Sequence, residues 1–229
     1  MGNLSEFLME ELNVATAFTI PIFGGIEVAE STVISWVIMA IIVILTLVLT
    51  RNMRVEKPGK LQVGVEYTVT ALQNLVRGII GHEGERYVPY LSTVLVFLGI
   101  SNIFAIFGMK PPTKDLNVTA ALALTSIILV QAASIRQNKV GGWLKGFTKP
   151  SKVITPLNVM ELAIRPLSLC MRLFGNVMGA FVVMKLLEHL VPVILPAVFS
   201  LYFDFFDGLL QAYVFVFLTG LYIKEAVEE

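Results

Sequence analysis

The sequence predicts an all-α integral membrane protein, with about five transmembrane helices plus an amphipathic interfacial helix, ending in a long tilted helical hairpin. Hydrophobic residues make up 56% of the 229 residues and charged residues only 15%. The mean hydropathy is +0.79, and a soluble domain carries more charge, about 25%. The apolar residues fall into blocks of about 20, the length that an α-helix needs to cross the hydrocarbon core. We therefore expect a single membrane domain.

Charge and cysteine content exclude several classes of protein. The formal net charge is zero, which argues against a nucleic-acid partner, because such proteins carry strongly basic surfaces. The single cysteine, Cys170, excludes an internal disulfide. Glu6, Glu10 and Glu11 occupy the region where a signal peptide has basic residues, so the N-terminus does not resemble one.

The apolar blocks and the polar stretches between them divide the chain into predicted segments. Residues 61–80 repeat Leu, Val and Ile at helical spacing with Glu66 and Arg77 between them, which indicates an interfacial or packed amphipathic helix. The predicted segments are an outer N-terminal segment at 1–31, span 1 at 32–50, the amphipathic helix at 61–80, span 2 at 88–109, span 3 at 116–135, and the two hairpin helices at 156–190 and 197–223.

The hairpin is too long to stand upright in a bilayer. Its first helix has about 35 residues, or roughly 52 Å of α-helix, whereas the hydrocarbon core is about 30 Å thick. A strong tilt accommodates this length, and Pro166 is expected to bend the helix. Pro192 and Pro196 are expected to form the turn before the second helix.

Basic residues between the spans predict the orientation, because cytoplasmic loops are enriched in lysine and arginine. One basic stretch follows span 1 at residues 51–60, and another connects span 3 to the hairpin at 136–152. We therefore expect both in the cytoplasm, with the N-terminus outside and the C-terminus cytoplasmic. Glu56 and Glu66 dilute this signal.

The first hairpin helix carries one stripe of polar residues. Counted from its arginine at position 172, the others stand 11, 7 and 4 positions before it and 4 positions after it. At about 100° per residue these offsets fall on one face. The stripe comprises Glu161, Arg165, Ser168, Arg172 and Asn176. Glu161 and Arg165 form an i,i+4 pair in the favourable order, either as part of a polar path or as a solvated pair at the helix start.

Arg172 lies near the middle of this helix, among Leu, Cys, Met and Phe side chains. A charged residue at the bilayer centre costs about 2.5–3.5 kcal/mol on insertion scales, and a guanidinium cannot lose its proton to escape that cost. The side chain must therefore face a polar partner, water, or a carboxylate from another subunit. The alternative is an arginine that merely holds two helices together.

The returning helix carries Asp204, Asp207 and Gln211 on a shared face. In an antiparallel hairpin, Gln211 lies at about the depth of Arg172, since both stand about 20 residues from the turn. The two aspartates then lie nearer the outer surface and Glu161 nearer the inner one. This arrangement indicates two polar access paths separated by a fixed positive charge, which would block direct passage of a proton. The alternative for both aspartates is solvation at a helix end.

Other polar residues give weaker signals. Glu188, with Lys185, lies toward the outer end of the long helix and either lines an aqueous opening or reaches the interface. Asp115 and Asn117, at the start of span 3, either line a channel or cap the helix.

The run PLNVMELAIRPLSLCMRLFGNVMGA at 156–180 resembles the signature of subunit a of the rotary F-type ATP synthase. The run LNVTAALAL at 116–124, the tail FDGLLQAYVFVFLTGLYI at 206–223 and the order of the spans are similar to that family as well. The similarity covers nearly the whole chain, and the RLFGN context is highly specific.

The resemblance implies a non-catalytic stator subunit without cofactors, which lies in the lipid bilayer beside a ring of c subunits and assembles with the peripheral-stalk b subunits. In that family, ions pass through one half-channel, bind a c-subunit carboxylate, travel with the ring and leave by the other half-channel. The motif arginine, here Arg172, displaces the ion from the passing carboxylate. Asn176 and Gln211 match further motif positions, and Glu161 matches an acidic position near the cytoplasmic exit.

The chain also departs from the family pattern. Many members carry an acidic residue or histidine nine positions after the arginine, where this chain has Phe181. The partner position on the last helix holds Asp204, so we expect the outer relay to rest on Asp204, assisted by Asp207 or Glu188. The resemblance leaves the coupling ion open, proton or sodium, because selectivity lies mainly in the c-ring. The lack of an obvious transit peptide fits a bacterial plasma membrane, although an organelle-encoded chain would lack one as well.

Two other functions remain as alternatives on the sequence. One is a membrane assembly or scaffold subunit in which Arg172 pins helices. The other is a free-standing channel or secondary transporter, which is disfavoured because the sequence has no internal repeat and no enclosed substrate site.

Overall fold

The computed structural model of the chain describes residues 16–20, 26–51, 53–54, 58–82, 84–106, 111–146, 155–190, 199 and 201–228. Within these residues helices dominate, joined by 3₁₀ turns at Glu85–Tyr87 and Pro112–Lys114 and by a π-helical segment at Leu201–Asp207. The regular elements are β1 (Thr16–Ile20), β2 (Ile26–Ala29), α1 (Glu30–Thr50), α2 (Lys60–Ile80), α3 (Val88–Ile106), α4 (Leu116–Gly146), α5 (Thr155–Leu190) and α6 (Gly208–Glu228).

Among the described residues, five helices are long and apolar enough to cross a membrane, namely α1, α3, α4, α5 and α6. This confirms the all-α membrane class that the composition predicted. The α1 span has the highest mean hydropathy, 2.8, and most of its large side chains are exposed, from Trp36 to Leu49. A helix that is apolar on all sides and yet unburied by its own chain is suited to contact with lipid or another subunit.

The N-terminal segment contains a β-hairpin that the sequence did not predict. Strands β1 and β2 pair antiparallel, with Phe18 opposite Val28 and Ile20 opposite Ile26. Residues 1–31 were expected to form only a mixed outer segment, because strands of four or five residues give too short an alternating pattern to recognise. Residues 1–15 and 21–25 lie outside the described chain.

Helix α2 confirms the predicted amphipathic helix. Val76, Ile79 and Ile80 are buried and pack toward α3 and α6, whereas Leu61 and Tyr67 are exposed. The helix ends at Gly81, whose φ of 78° stops the right-handed turn and is strained for other residues. The fully buried residues of its apolar stripe therefore lie in the C-terminal part of the helix.

Helix α4 continues past residue 135, where span 3 was expected to end in a basic connection at 136–152. Helical structure persists to Gly146, interrupted at Lys139, which has φ 57° and ψ 164°. Beyond this break Trp143 Nε1 donates a hydrogen bond to Gln131 Oε1 at 2.9 Å. Twelve residues of straight helix would separate these positions by about 18 Å, so the chain folds back at Lys139.

Two ends of the helical bundle are defined by contacts between elements. At the end that we call the C-terminal end, α4 and α6 finish, α5 begins, and all three line one cavity. At the opposite end, Ser31 of α1 donates a hydrogen bond to Asp115 before α4. Asn102 Nδ2, near the end of α3, donates to the Gly208 carbonyl at the start of α6, at 2.7 Å. The spans therefore run antiparallel to their neighbours in sequence.

Helix α6 lies at the centre of the packing and contacts α2, α3, α4 and α5. Its buried side chains include Ala212, Phe215, Val216 and Ile223. The predicted start of this helix near 197 and the turn at Pro192 and Pro196 fall mostly outside the described residues. The described chain instead enters α6 through the π-helical segment, and α6 extends to Glu228, five residues beyond the predicted end at 223.

Close packing of α6 depends on a glycine at position 220. A Cβ at Gly220 would lie 2.9 Å from Ile79 Cγ2 and 3.4 Å from Ile80 Cγ1. Both isoleucines are buried core residues of α2, so they have little room to retreat. Glycine therefore allows α2 to pack directly on the backbone of α6.

We predict that Gly220→Ala destabilises the chain by about 1–3 kcal/mol, because an overpacked core forces neighbouring side chains out of place. The thermal unfolding midpoint of the purified protein in detergent measures the loss. The matched control is Gly78→Ala on α2, where a Cβ meets nothing within 4 Å. The control should be neutral or stabilise by up to about 1 kcal/mol, and an unchanged midpoint for Gly220→Ala would contradict the packing argument.

Candidate functional site around Arg172

Arg172 is half-buried near the middle of α5. On either side along the helix, Leu169 and Leu173 are buried against the bundle, and Met171 is 52% exposed. No hydrogen bond or ion pair joins the Arg172 guanidinium to any residue that the structure describes. The described chain therefore holds this permanent charge at its surface without neutralising it.

One helical turn beyond Arg172, α5 and α6 are joined by a hydrogen bond between amides. Asn176 Nδ2 donates to Gln211 Oε1 at 2.6 Å. Gln211 is only 3% exposed, and its Nε2 is buried without a partner among the described residues. The bond brings Gln211 within about one turn of the level of Arg172, as the hairpin spacing predicted, and leaves one buried donor unsatisfied.

Toward the C-terminal end, Arg165 is held by two carboxylates. Its Nη2 donates to Glu161 Oε2 at 3.0 Å and to Glu225 Oε1 at 2.9 Å, and its guanidinium lies 4.9 Å from the centre of the Tyr222 ring. The pair with Glu161 was predicted from the i,i+4 spacing. The pair with Glu225 was not, because a residue 60 positions away is brought close only by the return of α6.

These ion pairs line a cavity of about 460 Å³ between α4, α5 and α6. Its wall combines the two carboxylates and the guanidinium with neutral polar groups and a few apolar side chains. The lining residues are Val130, Gln131, Ser134, Asn138, Gly142, Trp143, Gly146, Asn158, Glu161, Leu162, Arg165, Glu225 and Ala226. The volume holds more than about ten water molecules. Ser168, half-buried on the same face of α5, lies between the cavity and Arg172.

At the opposite end, Asp115 is buried and caps α4. Its Oδ1 accepts a hydrogen bond from the backbone N–H of Asn117 at 2.8 Å, and its other oxygen accepts one from the Ser31 hydroxyl. These hydrogen bonds are typical of an N-cap aspartate. Of the two roles that the sequence left open for Asp115, channel lining and helix capping, the bonds favour capping. The side chain of Asn117 is exposed.

Position 181, where many members of the family that the sequence resembles carry an acidic residue or histidine, holds a phenylalanine ring in contact with two lysine side chains. The Lys114 ammonium lies 3.6 Å from the centre of the Phe181 ring, and the Lys185 ammonium lies 5.8 Å from it. Lys185 also pairs with Glu188 at 2.8 Å. Glu188 is thus engaged in an ion pair on its own helix, within one turn.

The two aspartates before α6 lie in or beside the π-helical segment. Asp207 is half-buried at its last position. The backbone of Asp204 lies one turn earlier, and its side chain falls outside what the structure describes. The turn between the hairpin helices, residues 191–198, is likewise outside the described chain.

The face of α5 that carries Arg172 is open. Gly175 and Gly179 follow it on the same side, and a Cβ at either would meet nothing within 4 Å. Asn176 between them is exposed. Both hairpin helices also expose large apolar side chains, namely Leu167, Met171, Val183, Leu209, Leu210 and Tyr213.

Comparison with known protein families covers this whole region. The family model described as ATP synthase A chain matches residues 32–224. The chain belongs to this family. The matched residues include Arg172, Asn176 and Gln211, and they end one residue before Glu225.

The chain aligns with curated relatives along most of their length. The chain is 38% identical over 205 residues to the ATP synthase subunit a of Moorella thermoacetica, covering 89% of this chain and 93% of the relative. It is 33% identical to ATP synthase subunit a 1 of Hahella chejuensis, covering 90% and 87%. It is also 31% identical to the sodium ion specific ATP synthase subunit a of Propionigenium modestum, covering 89% and 75%.

Family membership confirms the resemblance that the RLFGN motif carried. As a member of the ATP synthase A chain family with five apolar helices, this is a multi-pass membrane protein of the F-type ATP synthase, with a part in ATP synthesis and ion transport.

Proposed function

We propose that this chain is the ion-conducting stator subunit of the F-type ATP synthase. It provides two offset half-channels that carry protons or Na⁺ to and from a carboxylate on the c-ring, and Arg172 separates them. The observation that carries the proposal is the Arg172 guanidinium, which lies in a membrane-spanning helix without a counter-charge in the described chain. Since such a charge is costly at the bilayer centre, its partner belongs to another subunit.

The surface around Arg172 supports a partner that approaches closely. Gly175 and Gly179 leave open space beside Asn176, and small residues at such positions let transmembrane helices pack backbone to backbone. A c-subunit helix that slides over this strip would bring its carboxylate to the guanidinium. The exposed apolar side chains on both hairpin helices would then contact the ring or lipid.

Polar groups on either side of Arg172 support two separate paths. On one side, Ser168 and the cavity with Glu161 lead toward the C-terminal end. On the other side, Asp204 and Asp207 lie in the π-helical segment that precedes α6. A permanent cation between the two repels cations, so an ion crosses only by riding on the ring.

The distribution of basic residues supports a cytoplasmic C-terminal end. Positive residues are enriched on the cytoplasmic side of membrane proteins. At the opposite end the described chain has Lys114 and Lys185. At the C-terminal end it has Arg51, Arg54, Lys60, Arg77, Arg86, Arg136, Lys139 and Lys224. We infer that the cavity opens to the cytoplasm and the β-hairpin lies outside, in a bacterial plasma membrane.

A scaffold subunit remains the second candidate, in which Arg172 only holds helices. Arg165 is the arginine that fits such a role, because it bridges α5 to α6 through Glu225. No such bridge from Arg172 exists among the described residues. This difference favours the ion-conducting function.

We predict that Arg172→Ala abolishes coupled ATP synthesis while the complex still assembles, because the barrier between the two paths is lost. ATP synthesis and ATP-driven ion transport by the reconstituted complex, with and without sodium, measure the effect and identify the coupling ion. Arg136→Ala removes the same charge at an exposed position of α4 and should leave transport unchanged. A fully coupled Arg172→Ala complex would sink the proposal.

Arg172→Lys separates the two candidate functions. If residue 172 only holds helices together, Arg172→Lys should still support transport, with a partial loss of folding. A separator should lose transport while expression and recovery of the complex stay normal, because an ammonium lacks the fixed planar fork of a guanidinium.

We predict that Asp204→Asn slows ion uptake from the outer side more than it disturbs assembly, because an amide cannot take up and release a proton. The rate of proton pumping per assembled complex measures this. Glu27→Gln, an exposed acid of β2 on the same side, is the matched control. Unchanged pumping by Asp204→Asn would reject Asp204 as a relay.

We predict that Gln137→Cys is labelled from the cytoplasm and Asn117→Cys from the outside. Both positions are exposed and lie at opposite ends of the bundle, and the background would carry Cys170→Ser. A membrane-impermeant maleimide applied to inverted and to right-side-out vesicles gives the readout. The reverse pattern of labelling would overturn the orientation.

A further inference from the structure

Glu225 stands in the cavity at the C-terminal end, and the sequence pattern did not assign it a role. Both Glu225 and Glu161 are about half exposed, with side-chain values of 48% and 51%, whereas Arg165 between them is 21% exposed. The guanidinium is thus the more enclosed member, and the two carboxylates face the cavity from two different helices.

Each carboxylate accepts a hydrogen bond from Arg165 through only one of its two oxygens. Arg165 Nη2 donates to Oε2 of Glu161 and to Oε1 of Glu225. Within the described chain, the other oxygen of each makes no hydrogen bond. Both carboxylates therefore keep an oxygen that can bind a cation or a water molecule.

Among the residues of the cavity wall that the structure describes, the charges do not balance. Two carboxylates face one guanidinium, which leaves one net negative charge among these described residues. The nearby basic residues Arg136 and Lys139 of α4 are exposed and do not line the cavity, and Lys224, although adjacent to Glu225 in sequence, does not line it either. A cleft of one sign raises the local concentration of counter-ions, so this cavity attracts cations.

The cavity also lies in line with Arg172. Arg165 precedes Arg172 by seven residues on the same helical face, which corresponds to about 10 Å along the axis. A cation released beside Arg172 is repelled by that guanidinium and drawn toward the net negative cavity. The two ends of this short path thus have opposite signs.

We propose that Glu225 is a second carboxylate of the inner half-channel, which draws cations into the cavity by its charge, and that Arg165 is a positioning residue, which holds Glu225 and Glu161 together and leaves the described cavity wall with one net negative charge. This inference rests on the proposed ion-conducting function. The ligand is a monovalent cation, a proton or Na⁺, that passes from the ring to the cavity water.

Charge-changing variants of the whole complex test the inference in inverted membrane vesicles. Glu225→Gln and Glu161→Gln each bring the net charge of the cavity to zero, and each should lower ATP-driven transport by about tenfold. The double variant Glu161→Gln/Glu225→Gln should be slower still. Glu85→Gln is the control, since Glu85 is an exposed acid paired with Arg77 at 3.1 Å outside the cavity, and its transport should equal that of the unmodified complex.

The deciding variant is Arg165→Gln/Glu225→Gln, which removes the ion pair between α5 and α6 but restores one net negative charge through Glu161. We expect it to recover most of the transport rate that Glu225→Gln loses. Raising the salt from about 0.01 M to about 1 M should narrow the gap between Glu225→Gln and the unmodified complex, because the Debye length falls from about 30 Å to about 3 Å.

If the pair of Arg165 and Glu225 only holds α5 against α6, removing both side chains should not restore transport. If Arg165→Gln/Glu225→Gln transports no faster per assembled complex than Glu225→Gln, the inference is overturned. Normal transport by Glu225→Gln also overturns it. Arg172→Ala measured in the same vesicles keeps the two proposals apart. Lost transport in Arg172→Ala with unchanged transport in Glu225→Gln rejects only this inference, whereas full coupling in Arg172→Ala rejects the ion-conducting function itself.

Discussion

A permanent positive charge that has no counter-charge among the described residues is the main constraint on this structure. The Arg172 guanidinium lies in a membrane-spanning helix, and no described residue neutralises it. Because arginine stays protonated in proteins, the chain can lower the cost only by offering this side chain to water or to another subunit. The open strip at Gly175 and Gly179 fits that constraint, since a partner needs a smooth surface to reach the charge.

The second arginine of the stripe shows that the fold neutralises a guanidinium where it can. Arg165, two turns from Arg172 on the same face, is held by Glu161, Glu225 and the Tyr222 ring. The same helix thus carries one arginine that is paired within the described chain and one that has no partner among the described residues. This contrast separates a structural role from a role in moving ions more clearly than the presence of either residue alone.

Helix α6 links packing to the site. Its buried side gathers α2, α3 and α4, with a glycine at position 220 that lets Ile79 and Ile80 pack on its backbone. Its other positions carry Gln211, which bonds Asn176, and Glu225, which bonds Arg165. The depth of each polar group opposite α5 is therefore set by how α6 packs in the core, so a change in the core would shift the site as well.

The sequence by itself determined the membrane class, the number of membrane-spanning helices, the polar stripe on α5 and the family, because apolar length, helical periodicity and the RLFGN motif are local properties. It also placed Gln211 near the level of Arg172, since hairpin spacing is simple counting. Only the tertiary structure revealed the β-hairpin, the fold-back at Lys139, the Lys114 contact with Phe181 and the joining of Glu225 to Arg165. Apart from the hairpin, whose strands are too short to recognise, each of these depends on where separate segments meet, and periodicity within one segment carries no information about the neighbour that it will face.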